Sequence, residues 1–497
     1  MKRPGIGGAA LAALGRPGIA TASLAAVFAW FAARSAARPV DDADVWWIAT
    51  AGRDVLSRWV APARNLYSFT APDHPWVMHE LGFGLVDALG LGALGPAFFP
   101  LLSLTLAALV LAAAAPTLTT RARHAASAPL VLLLVMAGTR EALFAPRPSH
   151  ASLIFPVAMV GITFRRGWST TRTAAAVLLE AVWANAHGSF PLGIAILAMG
   201  AFDATERPEV RARLAAASLA ALATLANPYG LELHGLVERY LWGSDETARI
   251  IHHHVVEFFP IWRWPQPFVN PFNAVLLGMI AVLALSALAR RRSVARALLA
   301  VGLVALGAYQ ARHVTLAVVV GALLVHPELD ALCAEAPGAP TRSASTVRLA
   351  LSVLPGFLLA SALWVLAAST RTAEQWIGPQ VDGGELWRLA GDLPPASKVY
   401  APFDFSGLVL WLGAPRGVRV FYDPRNDCYP PEVAEAAFSL ESPGARRSAP
   451  AILDRWGTEL ALVPSSHPVY DALSISPAWS AWRRAGPWTA FRRNRQP

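Results

Sequence analysis

Three acidic residues, Asp41, Asp42 and Asp44, follow directly after the first long apolar stretch of the chain. A carboxylate within reach of a substrate can act as the base that activates an attacking hydroxyl group. Carboxylates also bind divalent cations, but no further metal ligands are evident nearby in the sequence. Alternatively, Asp44 caps a helix that begins there. A cap explains one of the three acids, so the cluster remains a candidate for acid–base chemistry.

His79 and Glu80 lie further along the same loop, where the next helix is predicted to begin. Both can line a cavity together with the aspartates. The alternative is that Glu80 only favours the positive N-terminal end of its own helix.

Ionisable residues also occur near the ends of predicted membrane spans. An arginine at the centre of a bilayer costs about 2.5–3.5 kcal/mol, so such residues usually face a cavity or pair with another group. Guanidinium groups there can hold a lipid phosphate by charge-assisted hydrogen bonds. Snorkelling, or an internal pair such as Arg140 with Glu141, is the alternative. The candidates are Arg140, Arg147, His187, Arg312 and His313.

Two further motifs carry polar groups. In HHHVVEF, a helix would place His253 and His254 on one face with Glu257. The spacing matches no recognised zinc site, so the sequence calls for no cofactor, with a divalent metal left open. In FYDPRND, Asp423, Arg425 and Asp427 are typical of a turn; alternatively they form part of an acceptor pocket.

Composition defines the elements that must position these residues. The chain has 497 residues, of which 55% are hydrophobic and only 15% are charged. Soluble domains average about 25% charged residues, so this is predicted to be a multi-pass membrane protein. The net charge of +9 comes from arginine clusters between apolar runs, a distribution that argues against a nucleic-acid partner.

The arginine clusters predict the topology by the positive-inside rule. About eleven spans place the N-terminus in the cytoplasm and the C-terminal region outside a bacterial inner membrane. The segment 76–95 is predicted to be an interfacial or partly embedded helix. The predicted spans are 18–37, 97–119, 128–145, 149–164, 173–187, 189–205, 212–226, 272–289, 297–310, 313–326 and 349–369.

The chain is predicted to divide into two domains. Residues 1–369 form a membrane domain with external loops at 38–96 and 228–271, and residues 370–497 form a small extracytoplasmic α/β domain. In that domain the apolar runs 398–401, 408–412, 418–422 and 460–463 are predicted to be buried strands. A terminal hairpin is predicted from 479–484 and 488–493.

Several motifs together resemble a group of uncharacterised bacterial multi-pass membrane proteins. They are DADVWWIATAGRDVL, LYSFTAPDHPWVMHE, WANAHGS, LANPYG, ARH, FDFSGLVLWL and VFYDPRND. That group is similar in architecture to the GT-C glycosyltransferases, which use polyprenyl-phosphate-linked sugars. The resemblance implies an α-helical polytopic fold. It also implies a catalytic acid in the first external loop, a role that falls on Asp42 or Asp44, with Asp41 next to them. Arg140, Arg147, Arg312 and His313 would bind the donor phosphate.

The resulting hypothesis is a membrane glycosyltransferase that moves a sugar from a polyprenyl-phosphate donor to an acceptor on the external face. Its partners are that lipid-linked sugar and the bilayer. A transporter or flippase is the second hypothesis, supported by Glu180 inside a predicted span, although no internal symmetry accompanies it. A non-catalytic scaffold for envelope assembly is the third.

Overall fold

The fold was analysed in a computed structural model that describes residues 17–119, 123–165, 167–263, 271–335, 346–378 and 383–494. The helices in these ranges are α1 (Pro17–Ala36), α2 (Asp44–Arg58), α3 (Leu81–Leu94), α4 (Phe98–Thr119), α5 (Ser127–Thr139), α6 (Ala151–Thr163), α7 (Thr170–Ala186), α8 (Pro191–Gly200), α9 (Arg207–Ala223), α10 (Glu232–Trp242), α11 (Glu246–His254), α12 (Pro271–Ala289), α13 (Val294–Tyr309), α14 (Val314–Glu335), α15 (Thr346–Thr370), α16 (Gly383–Gly391), α17 (Phe403–Gly413), α18 (Pro431–Glu441), α19 (Ala445–Arg455) and α20 (Pro468–Ile475). The strands are β1 (Lys398–Tyr400), β2 (Arg419–Val420), β3 (Leu460–Pro464), β4 (Trp479–Ala485) and β5 (Trp488–Arg493).

The predicted fold class is confirmed, since the protein is mostly helical, with several apolar helices and a small C-terminal sheet. Each predicted span overlaps one of the helices α1, α4–α9 and α12–α15. By length and composition, five of the described segments are able to cross a membrane. They are Gly18–Ala36, Leu81–Thr119, Phe272–Ala289, Ala311–Glu335 and Leu349–Thr370. The count of about eleven spans, and the orientation of the termini, stay predictions.

The chain forms two compact units. The first unit comprises residues 1–37, 100–227 and 256–367, and the second comprises residues 38–99, 228–255 and 368–497. Most of each predicted external loop therefore belongs to the same compact unit as the C-terminal sheet. The predicted boundary at residue 369 concerns the membrane, and it stays a prediction.

In the first unit, α14 is the central helix, since nearly all of its residues from Val314 to His326 are buried. Its neighbours include α5, α6, α12 and α13. Their apolar side chains form one large buried cluster with those of α1 and α4. The small residues Ala317, Gly321 and Ala322 allow these helices to approach α14 closely, as is usual for helices in membranes.

In the second unit the strands form one sheet in the order β2-β1-β3-β5-β4. The strand β1 is parallel to both β2 and β3, whereas β3–β5 and β5–β4 are antiparallel. Ser68 of the first loop forms an isolated parallel bridge with Val420. The predicted strands near 398, 418 and 460 and the terminal hairpin are thus present.

The predicted strand at 408–412 is wrong, because these residues lie in the helix α17. A short apolar run fits a buried helix as well as a buried strand, and periodicity alone does not separate them. Contact with α2 favours the helix. A Cβ atom on Gly407 would lie 2.6 Å from the carbonyl oxygen of Ala43, so α17 and the start of α2 are almost touching.

Two glycines determine how α2 packs against α3. A Cβ atom on Gly52 would lie 1.7 Å from the carbonyl oxygen of Gly84, and one on Gly84 would lie 3.1 Å from the carbonyl oxygen of Ile48. The two backbones are therefore in direct contact. This contact fixes α3 against the helix that begins with the predicted catalytic acids.

Candidate functional site

Asp42 and Asp44 lie together at the N-terminal end of α2. The backbone N–H of Asp44 donates to Oδ1 of Asp42 over 2.9 Å, and the indole N–H of Trp47 donates to Oδ1 of Asp44 over 3.1 Å. Asp42, rather than Asp44, thus caps the first turn of the helix. Asp44 lies inside the helix, so the predicted cap at that residue is wrong. Both carboxylates are held in place, as an acid–base group requires.

Asp41 is positioned by different neighbours. Its carboxylate lies 3.9 Å from the guanidinium of Arg38. A Cβ atom on Gly378 would lie 1.2 Å from Oδ1 of Asp41, so a larger residue at position 378 would displace the Asp41 carboxylate. A backbone hydrogen bond of 3.0 Å from Gly378 to Val40 holds this contact. Asp41 is accordingly packed against the chain that follows α15.

Sequence reasoning missed Asp87 as a site residue. This acid lies in α3 and is fully buried, close enough to Asp42 for the two charges to interact. Neither of its carboxylate oxygens has a hydrogen-bond partner within the described ranges. An acid inside the apolar run LGFGLVDALG was the available signal, because a buried carboxylate without a partner is costly and often marks a functional site.

His79 and Glu80 form a close pair just before α3. Nε2 of His79 lies 3.6 Å from Oε1 of Glu80, and the imidazole ring lies 5.9 Å from the ring of Tyr240. Glu80 occupies the position immediately before the first residue of α3, as the alternative interpretation expected. The role of both residues in binding a substrate stays a prediction.

In the first unit, Arg147 and Arg312 share one carboxylate. Glu257 lies 3.9 Å from Nη1 of Arg147 and 3.8 Å from Nη1 of Arg312. The two arginine side chains are 41% and 28% exposed. Such long, exposed ion pairs contribute about 0–1 kcal/mol. An incoming anion can therefore replace Glu257 at little cost, and the group keeps one excess positive charge.

Local hydrogen bonds position this group. The backbone N–H of Ala311 donates to Phe259 and that of Ile261 donates to Ala308, each over about 3 Å. The Arg312 guanidinium lies 4.5 Å from the centre of the Phe258 ring. Two residues far apart in sequence are thus brought to one acid. In the sequence that acid belongs to the HHHVVEF motif, and no local pattern connects it to either arginine.

The remaining predicted residues of the first unit have other surroundings. Nδ1 of His187 lies 3.1 Å from Oγ of Ser152 and 3.0 Å from Oγ of Ser189. His313 directly follows Arg312 in the short helix that precedes α14. Arg140 lies in the short helix Arg140–Phe144, and its side chain is outside the part that the structure describes. Their assignment to substrate binding stays a prediction.

The metal interpretation of HHHVVEF gains no support. The helix α11 ends at His254, so Glu257 does not share a helical face with the histidines, as that interpretation required. The ring of His254 instead stacks on Phe438, with 4.7 Å between the ring centres. Within the described ranges, no group of three metal-binding side chains is close enough to hold an ion.

The FYDPRND turn is a buried polar network of the second unit. Asp423 accepts two hydrogen bonds of 2.7 Å from the guanidinium of Arg425 and one of 2.6 Å from the Tyr429 hydroxyl. Arg425 also donates to Asn65 over 2.8 Å. Its guanidinium lies 4.9 Å from the centre of the Tyr67 ring and 4.6 Å from that of Trp76. Through Arg425, the network joins the first loop to the C-terminal region by a hydrogen bond and by cation–π contacts.

Asp427 is the chemically unusual member of this turn. Both of its carboxylate oxygens are buried and have no hydrogen-bond partner within the described residues. Burial raises the pKa of Asp427 to about 8, although Arg425 and Arg239 act in the opposite direction. The turn interpretation of this motif fits the structure, and its link to an acceptor stays a prediction.

Comparison with known proteins supports the fold. No protein-family model matches the sequence, and no curated protein matches it either. Among solved structures, ArnT from Cupriavidus metallidurans bound to undecaprenyl phosphate is 13% identical with a TM-score of 0.53, covering 94% of this chain and 97% of ArnT. The apo form of ArnT is 12% identical with a TM-score of 0.54, covering 94% of this chain and 96% of ArnT.

The oligosaccharyltransferase of Archaeoglobus fulgidus in its apo form is 13% identical with a TM-score of 0.46, covering 89% of this chain and 69% of the other. The likeness to ArnT spans almost the whole of both chains. The resemblance to GT-C glycosyltransferases is thus confirmed for the fold alone, and five of the described segments are long and apolar enough to cross a membrane.

Proposed function

We propose that the protein is a membrane glycosyltransferase that transfers a sugar from a polyprenyl-phosphate donor to an acceptor hydroxyl on the external face of a bacterial inner membrane. The observation that carries the proposal is the fold likeness to ArnT over 94% of this chain, because the ArnT structure contains undecaprenyl phosphate. The acids of α2 and the arginines around Glu257 supply the two kinds of group that such a transfer needs.

In this proposal the acceptor oxygen attacks the anomeric carbon of the sugar as the bond from that carbon to the phosphate oxygen breaks. Asp42 or Asp44 takes the proton of the acceptor hydroxyl. Arg147 and Arg312 stabilise the negative charge that develops on the leaving phosphate, after it has replaced Glu257 as their partner. Asp41, His79, Glu80, Arg140, His187 and His313 are proposed to contact the substrates. No metal is assigned to the reaction.

The test is transfer by the purified full-length protein, using undecaprenyl-phosphate-linked pentoses and hexoses as donors and measuring release of undecaprenyl phosphate. The double variant Asp42→Asn with Asp44→Asn is expected to lose transfer by about 10²–10⁴-fold, the range for removal of a general base. Membrane insertion and elution volume should be unchanged. Asp73→Asn is the matched control, because Asp73 is an exposed acid of the same loop with a left-handed backbone that asparagine tolerates.

Wild-type rates in the double variant would remove the acids from the mechanism. Failure of every donor in the panel with the wild-type protein, together with no binding of undecaprenyl phosphate, would contradict the proposed function as a whole.

A transporter or flippase is the second candidate, and Glu180 is the observation that favours it. This acid is fully buried in α7, and neither carboxylate oxygen has a hydrogen-bond partner among the described residues. Gly193 leaves the space that the carboxylate occupies, since a Cβ atom there would lie 2.0 Å from Oε2 of Glu180. Buried acids in membrane helices often mark ion pathways. Glu180→Gln should leave sugar transfer intact in an enzyme and abolish lipid movement in a transporter.

A further inference from the structure

The first unit contains a cavity of about 1480 Å³ at one end of its helices. Its lining includes described residues from between α6 and α7, between α8 and α9 and between α12 and α13, together with Arg123 and part of α14. These segments carry most of the arginine clusters that the sequence places on one side of the membrane. By chain connectivity, Arg147 and Arg312 lie at the opposite ends of the same helices, so this cavity is separate from the proposed phosphate group.

Three arginines, Arg165, Arg172 and Arg213, line one edge of the cavity. Nη1 of Arg172 donates to the carbonyl oxygen of Arg165 over 3.3 Å, and Nη2 of Arg213 lies 3.5 Å from the same oxygen. Burial, followed by the charges of Arg165 and Arg213, lowers the pKa of Arg172. A Glu209 carboxylate at 2.8 Å from Arg213 offsets one charge. The three arginines and Glu209 together therefore carry an excess of positive charge.

Arg213 is only 4% exposed, and its Nε atom has no hydrogen-bond partner in the part of the chain that the structure describes. Its guanidinium lies 5.4 Å from the centre of the Trp168 ring, which also lines the cavity. A buried N–H donor without an acceptor is costly. An additional acceptor at this N–H group would remove that cost.

Two acids of the lining, Glu328 and Asp330, already interact with other groups of the protein. Glu328 accepts a hydrogen bond of 2.9 Å from Ser286 and lies 3.7 Å from Arg292. Asp330 accepts from the backbone N–H of His124 and from the Ser127 hydroxyl, over 3.0 and 2.7 Å. Asp203 and Glu206 are the other acids that line the cavity. The arginine cluster is thus the part of the wall suited to an anion.

The rest of the wall is largely apolar and is formed by transmembrane-type helices. It includes Ala113, Pro116, Ala158, Ile162, Leu324 and Val325. Pockets for drug-sized ligands measure about 300–1,000 Å³, so this cavity is far larger than a phosphate ion needs. A basic edge joined to an apolar interior between helices matches the chemistry of an anionic lipid.

We propose that this cavity binds an anionic glycerophospholipid, with its phosphate on Arg165, Arg172 and Arg213 and an acyl chain along the apolar wall near Ala158. The lipid is a resident partner of the helix ends, distinct from the polyprenyl-phosphate donor. Its binding does not depend on the proposed transfer reaction.

The test uses full-length protein purified in detergent and depleted of lipid, with bound lipid counted by native mass spectrometry. The probes are dioleoyl phosphatidylglycerol, dioleoyl phosphatidylcholine and inorganic phosphate. The double variant Arg165→Gln with Arg172→Gln is expected to hold phosphatidylglycerol about tenfold more weakly, the factor that ~1.4 kcal/mol gives. Arg211→Gln is the matched control, since Arg211 is an exposed residue of α9 outside the cavity lining.

Ala158→Phe separates a lipid from a simple ion. It should reduce phosphatidylglycerol binding by filling the apolar wall while leaving any phosphate binding unchanged. Elution volume and melting temperature check that the variants are folded, and the two arginine substitutions test the site even if Ala158→Phe is unstable. The proposal is overturned if the charged and zwitterionic lipids bind equally, or if the double variant matches Arg211→Gln. It is equally overturned if phosphate displaces phosphatidylglycerol and Ala158→Phe has no effect, since the site would then hold an ion only.

Discussion

Single side chains in the second unit show how burial and pairing decide the charge of a group. Arg425 and Asp423 are both fully buried, and two short hydrogen bonds join their side chains. Asp427, two residues after Arg425, has no such partner within the described residues. Breaking a buried pair commonly costs about 3–5 kcal/mol, whereas a lone buried acid lowers stability most when it is ionised.

Asp427 should make the stability of the protein depend on pH. The pKa of its carboxyl group in the folded state, about 8, lies above the ordinary value of 3.8. The folded state therefore holds a proton that the unfolded state releases between these values. The contribution of Asp427 to the free energy of unfolding is fully present below about pH 4. It falls as the pH rises towards 8, at up to about 1.4 kcal/mol per pH unit.

The measurement is the melting temperature of the detergent-solubilised protein at pH 5 and at pH 8. Asp427→Asn should narrow the difference between the two, whereas Asp73→Asn, at an exposed position, should leave it unchanged. An equal pH dependence in the wild type and in Asp427→Asn would contradict this assignment.

At the scale of elements, the contact between α2 and α3 places Asp42 near Asp87. It depends on Gly52 and Gly84, because no side chain fits between the two backbones. One turn beyond Gly84, α3 carries Asp87. The positions of the acids are therefore set by helix packing rather than by the loop itself.

Gly52→Ala is expected to push the two helices apart and to destabilise the protein by about 1–3 kcal/mol, the usual cost of overpacking. Gly92→Ala in α3 is the matched control. No heavy atom lies within 4 Å of a Cβ there, and alanine is the better helix former by about 1 kcal/mol. Melting temperatures of both variants decide the point, and equal stability of the two would show that the helices can adapt.

The sequence predicted the bounds of helices better than it predicted contacts between residues that are far apart in the chain. Long apolar runs such as 272–289 and 349–369 gave helices with nearly the expected bounds, because length and hydrophobicity are local properties. The helix α17 was mistaken for a strand because its contact with Ala43 lies far away in the chain. Two other features depend on contacts between residues that are distant in sequence, which no local pattern encodes. They are the ion pairs of Glu257 with Arg147 and Arg312, and the proximity of Asp87 to Asp42.

At the scale of the whole molecule, the proposed chemistry divides between the two units, with the acids in one and the arginines in the other. The sequence predicts that both groups act on one substrate, and this stays a prediction. Groups that act in one transition state have strongly non-additive effects on rate.

Arg312→Gln should lower transfer roughly tenfold to a hundredfold, as expected for loss of a charge-assisted hydrogen bond. In the double variant Arg312→Gln with Asp42→Asn, the free-energy change calculated from kcat/KM should be smaller than the sum of the changes in the two single variants. Arg263→Gln, at an exposed position near α13 in the same unit, is the control. Strictly additive effects, or an unaffected Arg312→Gln, would argue against a shared substrate.

The hydrogen bond between Asn65 and Arg425 joins residues 360 positions apart. At a synthesis rate of about 5–20 residues per second, the ribosome needs roughly 20–70 s to make the intervening chain. During that time the aromatic rings of the first loop are exposed, because the loop cannot yet form its contact with Arg425. Maturation of this part of the molecule is therefore completed only after Arg425 has been synthesised, and a chain terminated before Arg425 would leave the first loop without this contact.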